Sequence, residues 1–257
     1  MPETIGLVAF ALLGLAVGSF LNVCIHRVPR SASVVSPASS CPRCGYELRW
    51  YDNLPVLSYA FLRGRCRHCR MRISVRYPIV ELITLAVFVL HWWAFGWNAL
   101  MVVRLAFACA LIVLFAIDLE HHLLPNVITL PGIAAGLIVS TVFTPGLRDA
   151  LIGALVGGGV LWVIGEAYFR YSGQEGMGGG DVKMLAMIGA FLGWKLVLVT
   201  LVLSSVAGAL IGLMVIALRR GDMKYALPYG TFLALGGLAA SIVGEQIVAW
   251  YVGMYEF

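Results

Sequence analysis

Charge is what this sequence has least of. Of its 257 residues only 12% are Asp, Glu, Lys or Arg, and 61% are hydrophobic. Soluble domains carry about 25% charged and about 45–50% apolar residues, so the shortage excludes a water-soluble globule. Period-2 alternation is also missing from the apolar runs, which excludes a closed transmembrane barrel. Lipid cannot satisfy free backbone groups, so runs longer than about 18 residues must be helices. No basic region precedes the first apolar run and no small-residue cleavage site follows it. That run therefore reads as a spanning helix rather than a removed signal peptide. There is no low-complexity stretch, no internal repeat, and no glycine-rich turn after a strand of the kind that binds nucleotides.

What is present is a ladder of apolar segments, at about 4–25, 78–95, 99–117, 123–143, 150–169, 182–194, 196–218 and 226–249. The sixth is short, and Gly193-Trp194-Lys195 marks its turn. The net charge of +5 is concentrated: ten of the eighteen basic residues are arginines between His26 and Tyr77. Basic residues collect in short cytoplasmic loops, so this cluster signals topology and not nucleic-acid binding. With that loop inside, Arg170, Lys183, Arg219, Arg220 and Lys224 also fall inside, and Arg148 and Lys195 fall outside. The expected fold is an all-α polytopic membrane protein of about eight helices, both termini on the outer side. Its parts are a first helix over 1–25, a cytoplasmic loop over 26–77, and a membrane core over 78–257.

The loop contains Cys41-Pro42-Arg43-Cys44 and Cys66-Arg67-His68-Cys69, two C-x-x-C knuckles 21 residues apart. That is the spacing of a tetrahedral thiolate site, with Gly45 and Gly64 placed for the tight turns. Zinc suits four soft sulfur ligands in a closed site, and iron in a rubredoxin-like site is the competitor. A pair of disulfides is disfavoured in the reducing cytoplasm. Such a metal is structural, holding a loop with too few apolar residues for its own core. Cys24 and Cys109 lie in apolar runs and read as buried small residues.

The topology brings two acids to one depth. Asp118 ends the third predicted helix and Asp181 begins the sixth, so both reach the cytoplasmic boundary. An ionisable residue at a membrane helix end is expensive unless it works or pairs. Gly178, Gly179 and Gly180 remove side chains beside Asp181, so a substrate backbone can approach. Two adjacent carboxylates share a proton, and the pair can perform general acid–base peptide hydrolysis. The competing structural role is helix capping, for which Asp181 is well suited. His121 and His122 point apart on a helix and read as interfacial. Glu120 and Glu175 flank the aspartates, as solvated ends or as groups that attract basic residues of a substrate.

In order along the chain come Gly18-Ser19-Phe20-Leu21-Asn22-Val23, His26-Arg27-Val28-Pro29, both knuckles and Arg76-Tyr77-Pro78-Ile79-Val80-Glu81-Leu82. Asp118 with Leu124-Pro125 follows, then Gly178-Gly179-Gly180-Asp181 with Lys183. Together these resemble the type IV prepilin peptidases, over nearly the whole chain. The resemblance implies a bifunctional enzyme of the bacterial inner membrane and a relative of Gly-x-Gly-Asp intramembrane aspartyl proteases. It would cleave the basic leader of prepilins or pseudopilins after a glycine, then methylate the new N-terminus from S-adenosylmethionine. Asp118 and Asp181 match the family's catalytic pair, and Cys41, Cys44, Cys66 and Cys69 its metal ligands. Glu81 is a candidate contact for substrate or methyl transfer, or else a structural partner of Arg76 or Arg104. The alternatives are a peptidase lacking the methyltransferase, a transporter using Arg104 and Glu166, and a scaffold that binds a protein through the cysteine loop.

Overall fold

Apolar runs bounded by Pro and Gly dictate an almost wholly helical chain, and the computed structural model, which describes residues 2–174, 176–219 and 228–254, has that form. Its helices are α1 (Pro2–Arg27), α2 (Leu57–Phe61), α3 (Arg76–Phe95), α4 (Ala99–His121), α5 (Asn126–Val139), α6 (Leu147–Ser172), α7 (Gly179–Arg219) and α8 (Tyr229–Gly253). Their ends follow local chemistry. Gly173 takes a left-handed φ of 68° after α6 and returns its N–H to the Phe169 carbonyl, as a C-terminal glycine does. Pro125 and Pro228 cap α5 and α8 in extended conformation, which suits a residue that lacks an N–H.

Six of these helices, α1, α3, α4, α6, α7 and α8, are long and apolar enough to cross a membrane. The sequence predicts eight spans, and the difference lies in two places. The segment expected at 123–143 shortens to the 14 residues of α5, because Pro125 delays its start and Ser140 ends it. The segments expected at 182–194 and 196–218 form one element, α7, broken at Gly193 with φ 79° and ψ 172°. Those angles belong to glycine, and the expected turn at Gly193 is therefore present as a break within α7. At 1.5 Å per residue α5 is about 21 Å long, short of a bilayer core of about 30 Å.

The chain divides into two compact units, Met1–Val113 and Leu114–Phe257, with the boundary inside α4. In the first unit α1 lies against α3. A Cβ added at Gly18 would sit 2.7 Å from the Glu81 Cα, so glycine is what lets the two backbones meet. Toward the opposite end of these helices, Phe10 packs on Phe88, Trp92 and Trp97 at 5.2–5.8 Å between ring centroids.

In the second unit α7 packs against α5, α6 and α8. The first arm of α7 lies along α5, where Ser140 Oγ donates to the Ala190 carbonyl at 3.1 Å. At the crossing with α6, a Cβ on Gly153 would lie 2.5 Å from the Gly189 carbonyl oxygen, and one on Gly189 would strike Gly153 in return. Small residues allow such approach in membranes, where packing replaces the hydrophobic drive. Gly189→Val should therefore destabilise the protein by about 3 kcal/mol or more, the upper end of overpacking effects. Gly159→Val, whose added Cβ meets nothing within 4 Å, should leave unfolding in detergent unchanged.

Candidate active site and metal centre

The two predicted acids belong to the second unit, and the fold brings them together. Asp118 lies in the last turn of α4 and is only 5% exposed. Asp181 is the third residue of α7, and the charge of Asp118 acts directly on it. The carboxylate of Asp181 takes the Gly178 N–H, as the acid of a capping box does. Asp181 therefore stands in the first turn of α7, which begins at Gly179, and not at the N-cap expected as its competing role. The Thr231 backbone amide faces the Asp118 carboxylate, and Asp118 Oδ2 is buried with no hydrogen-bond partner among the described residues. Leaving such an oxygen unsatisfied costs about 1–3 kcal/mol, more when it is charged.

Three chain segments make this corner. Leu124 wedges between the N-terminal ends of α7 and α8: Cβ atoms built on Gly180 and Gly230 would lie 2.9 Å and 2.8 Å from its side chain. Gly230 also presses on the acid, since its Cβ would be 2.7 Å from Asp118 Oδ2. The glycine run before Asp181 therefore has divided roles. Gly180 makes room for Leu124, whereas Gly178 and Gly179 are exposed, and a Cβ on Gly179 would meet nothing within 4 Å. Lys183 Nζ donates to Asn126 Oδ1 at 2.9 Å and ties the start of α7 to that of α5. Both α7 and α8 point helix N-termini, the positive ends of their dipoles, at this corner.

Sequence reasoning missed Gly230 and Thr231. The signal was available in Pro228-Tyr229-Gly230, a proline start and a glycine at the head of the last span, at the depth expected for the aspartates. Among the remaining expectations, Glu120 is exposed and lies 3.9 Å from His121, and both His121 and His122 are exposed as expected. Glu175, Arg220 and Lys224 lie outside the described residues. Glu166 pairs with Arg170 at 2.8 Å across one helical turn. Cys24 and Cys109 are half-buried.

The metal centre belongs to the first unit. Each knuckle folds the same way: Cys41 N–H donates to Tyr46 O at 2.9 Å, and Cys66 N–H donates to Met71 O at 2.8 Å. Four residues after the first cysteine the chain turns left-handed in both, at Gly45 (φ 70°) and at Arg70 (φ 60°). Antiparallel bridges, Ser40 with Glu47 and Arg65 with Arg72, close the two turns. The Sγ atoms of Cys41, Cys44, Cys66 and Cys69 all lie within 4.8 Å of one another. A tetrahedral ion with Zn–S bonds of about 2.3 Å would space its sulfurs about 3.8 Å apart, and Cys41 and Cys69 stand 3.7 Å apart. The four thiols thus fit a closed tetrahedral ion. The Cys44 backbone N–H lowers the Cys41 thiol to about 6, while desolvation and the neighbouring thiols raise Cys44 to about 11.

A second layer braces the knuckles. Asp52, 7% exposed, accepts from Arg67 Nε at 2.7 Å and from the Tyr46 hydroxyl at 3.3 Å, linking the first knuckle to the second. Asp52 raises the pKa of the Arg67 guanidinium, chiefly through that hydrogen bond. The His68 ring stacks on Tyr46 with 5.9 Å between centroids. Glu81 is buried in the same unit. Its Oε2 accepts the Val56 N–H at 2.7 Å and its carboxylate the Ser19 hydroxyl, so its partners are neutral donors rather than Arg76 or Arg104.

Comparison with known proteins adds independent evidence. Residues 12–95 match the family described as Bacterial Peptidase A24 N-terminal domain, and residues 105–213 match the Type IV leader peptidase family. A protein of Pseudomonas putida named Prepilin leader peptidase/N-methyltransferase is 42% identical over 262 residues, covering 93% of this chain and 91% of its own. A protein of the same name from Pseudomonas aeruginosa is 38% identical, over 96% and 93% of the two chains. Another from Burkholderia pseudomallei is 40% identical, over 92% and 85%. No solved structure matches the chain.

Proposed function

The chain belongs to the type IV leader peptidase family, and from that premise we propose that it removes the leader of prepilins with Asp118 and Asp181 and then methylates the new N-terminus. The observation that carries the peptidase half is the unpartnered, buried Asp118 Oδ2 beside a second carboxylate. Such a pair keeps one proton between its members. The ionised carboxylate draws a proton from water while the protonated one donates to the scissile carbonyl, so hydroxide attacks and the amide nitrogen leaves protonated. Because the pair titrates as a unit, neither aspartate is assigned one fixed role. Gly178 and Gly179 leave the approach to Asp181 open to an extended backbone.

The arginine-rich segment 26–77 is placed in the cytoplasm, and the aspartates at that face of the membrane. On this reading both termini lie outside, with α5, shorter than the bilayer core, counted as one pass and α7 as two across its break at Gly193. A prepilin is an apolar helix with a basic leader, so it enters from the lipid with its cleavage point at the boundary. Zinc held by Cys41, Cys44, Cys66 and Cys69 would cross-link the segment 26–77. S-adenosylmethionine is the second substrate.

Purified protein incubated with a prepilin and S-adenosylmethionine, with the product weighed, tests both halves. Loss of the leader mass reports cleavage, and a gain of one methyl reports transfer. A prepilin returned at full mass would refute the assignment. Within the site, Gly230→Ala should push Asp118 aside and lower kcat for leader removal about 100-fold, as displacements near 1 Å do. KM and metal content should stay near native, measured by initial rates and elemental analysis.

A further inference from the structure

The short helix α2 begins at membrane depth. Glu81, the sixth residue of the spanning helix α3, turns its carboxylate to the Ser19 hydroxyl of α1 and accepts the Val56 N–H at 2.7 Å. Ser19 lies eight residues before the end of α1 at Arg27, about 12 Å along the axis at 1.5 Å per residue. Val56 therefore stands beside the inner turns of α1 and α3 and not beyond their ends. Lipid tolerates no unsatisfied backbone at such depth, and the chain meets that demand. Glu81 takes the amide at the turn into α2, where Val56 holds φ 60° and ψ −45°. The Ser58 and Ala60 amides donate to the Leu54 and Val56 carbonyls at 3.0 Å.

The helix has two faces. Ser58, Tyr59 and Leu62 line the cavity enclosed with α1 and the knuckles. Leu57 and Phe61, four residues apart and so on one side of the helix, are 56% and 83% exposed, and Leu54 before them is exposed as well. Ile79, Leu82 and Ile83, which flank Glu81 in α3, are likewise apolar and exposed, as lipid-facing side chains are. Positive charge follows directly after α2: over 63–72 the chain holds five arginines and no acid. Asp52 occupies Arg67, whereas Arg63 and Arg65 are exposed. An apolar ridge bordered by guanidinium forks matches a layer of acyl chains with phosphate headgroups above it.

We propose that the segment 54–61 re-enters the leaflet from which α1 and α3 emerge, with Leu57 and Phe61 among the acyl chains and Arg63 and Arg65 on anionic headgroup phosphates. This rests on α1 and α3 crossing the membrane and on neither proposed activity. A soluble partner would have to enter the headgroup layer to reach Leu57, and a basic peptide would be repelled by the same arginines. The segment that carries the metal site is then tied to the membrane at a point between its two knuckles, and not only where it joins α1 and α3.

The test uses the full-length protein in nanodiscs of mixed phosphatidylglycerol and phosphatidylcholine. The photo-crosslinker p-benzoylphenylalanine replaces Phe61, with Trp93 in the span of α3 and Arg43 at the tip of the first knuckle as references. All three side chains are exposed, so packing is undisturbed. Mass spectrometry after irradiation should find acyl-chain adducts at position 61 at the level of position 93. They should exceed those at position 43 about tenfold or more, the partition expected of one aromatic side chain buried in hydrocarbon. Adding Arg63→Gln and Arg65→Gln should lower the ratio of phosphatidylglycerol to phosphatidylcholine among the adducts about fivefold or more, the effect of at least one arginine near an anionic surface. A yield at position 61 no higher than at position 43 overturns the re-entry. Cross-links from position 61 to protein in place of lipid would assign the ridge to a protein partner and overturn it as well. An unchanged lipid ratio in the arginine variant refutes the headgroup contact.

Discussion

Leader removal should fall about 10³- to 10⁴-fold in Asp118→Asn and likewise in Asp181→Asn, the scale of lost acid–base catalysis. Asparagine keeps the volume of aspartate and can still accept the Thr231 or Gly178 amide. It can neither ionise nor pass a proton, so chemistry is lost while packing stays. The double variant should be hardly slower than either single one, because residues acting as a unit are grossly non-additive. Methylation of a pre-cleaved pilin should persist in all three, since it needs only a free amine and S-adenosylmethionine. Single-turnover cleavage of a prepilin in lipid, with pre-cleaved pilin in parallel, measures both. Near-native cleavage by either single variant would falsify the two-aspartate mechanism and leave Asp181 with only its cap to the Gly178 N–H.

Removal of the four-thiolate site should be nearly as severe for the first unit. Structural zinc in small domains contributes about 10–16 kcal/mol of binding free energy, which becomes folding free energy where no other core exists. Between the knuckles the chain has only the short α2, the Asp52–Arg67 clamp and the Tyr46–His68 stack to hold it. Cys41→Ser combined with Cys66→Ser should lose the single equivalent of zinc, and the segment 26–77 should become open to limited proteolysis. Methyl transfer should weaken as the first unit loses its cross-link. Zinc persisting at one equivalent in that double variant would show that the metal is held elsewhere.

Much of this protein was legible in its sequence, because the signals concerned are local or one-dimensional. Apolar run length in a chain with 12% charge determined a helical membrane protein, since lipid leaves the backbone no other partner. The knuckles were legible because a C-x-x-C turn is built from neighbouring residues, and Gly45 and Gly64 indeed take positive φ. Asp118 and Asp181 could be matched in depth because a helix end in a bilayer is a coordinate along a single axis. What a span count along that axis missed was length: α5 and the first arm of α7 are half-helices packed on each other, the limits of α5 set by Pro125 and Ser140.

Position around each helix axis was decided only by the tertiary structure. It chose Gly230 and Thr231 of α8, far along the chain, to face Asp118, and lodged Leu124 between the heads of α7 and α8. It also gave Glu81 the Val56 N–H and Ser19 instead of an arginine. In helices apolar on every side, periodicity hardly marks which face turns inward. That choice falls to close packing, where a glycine at 18, 153 or 189 lets one backbone reach another, and packing of this kind is a property of pairs of distant residues.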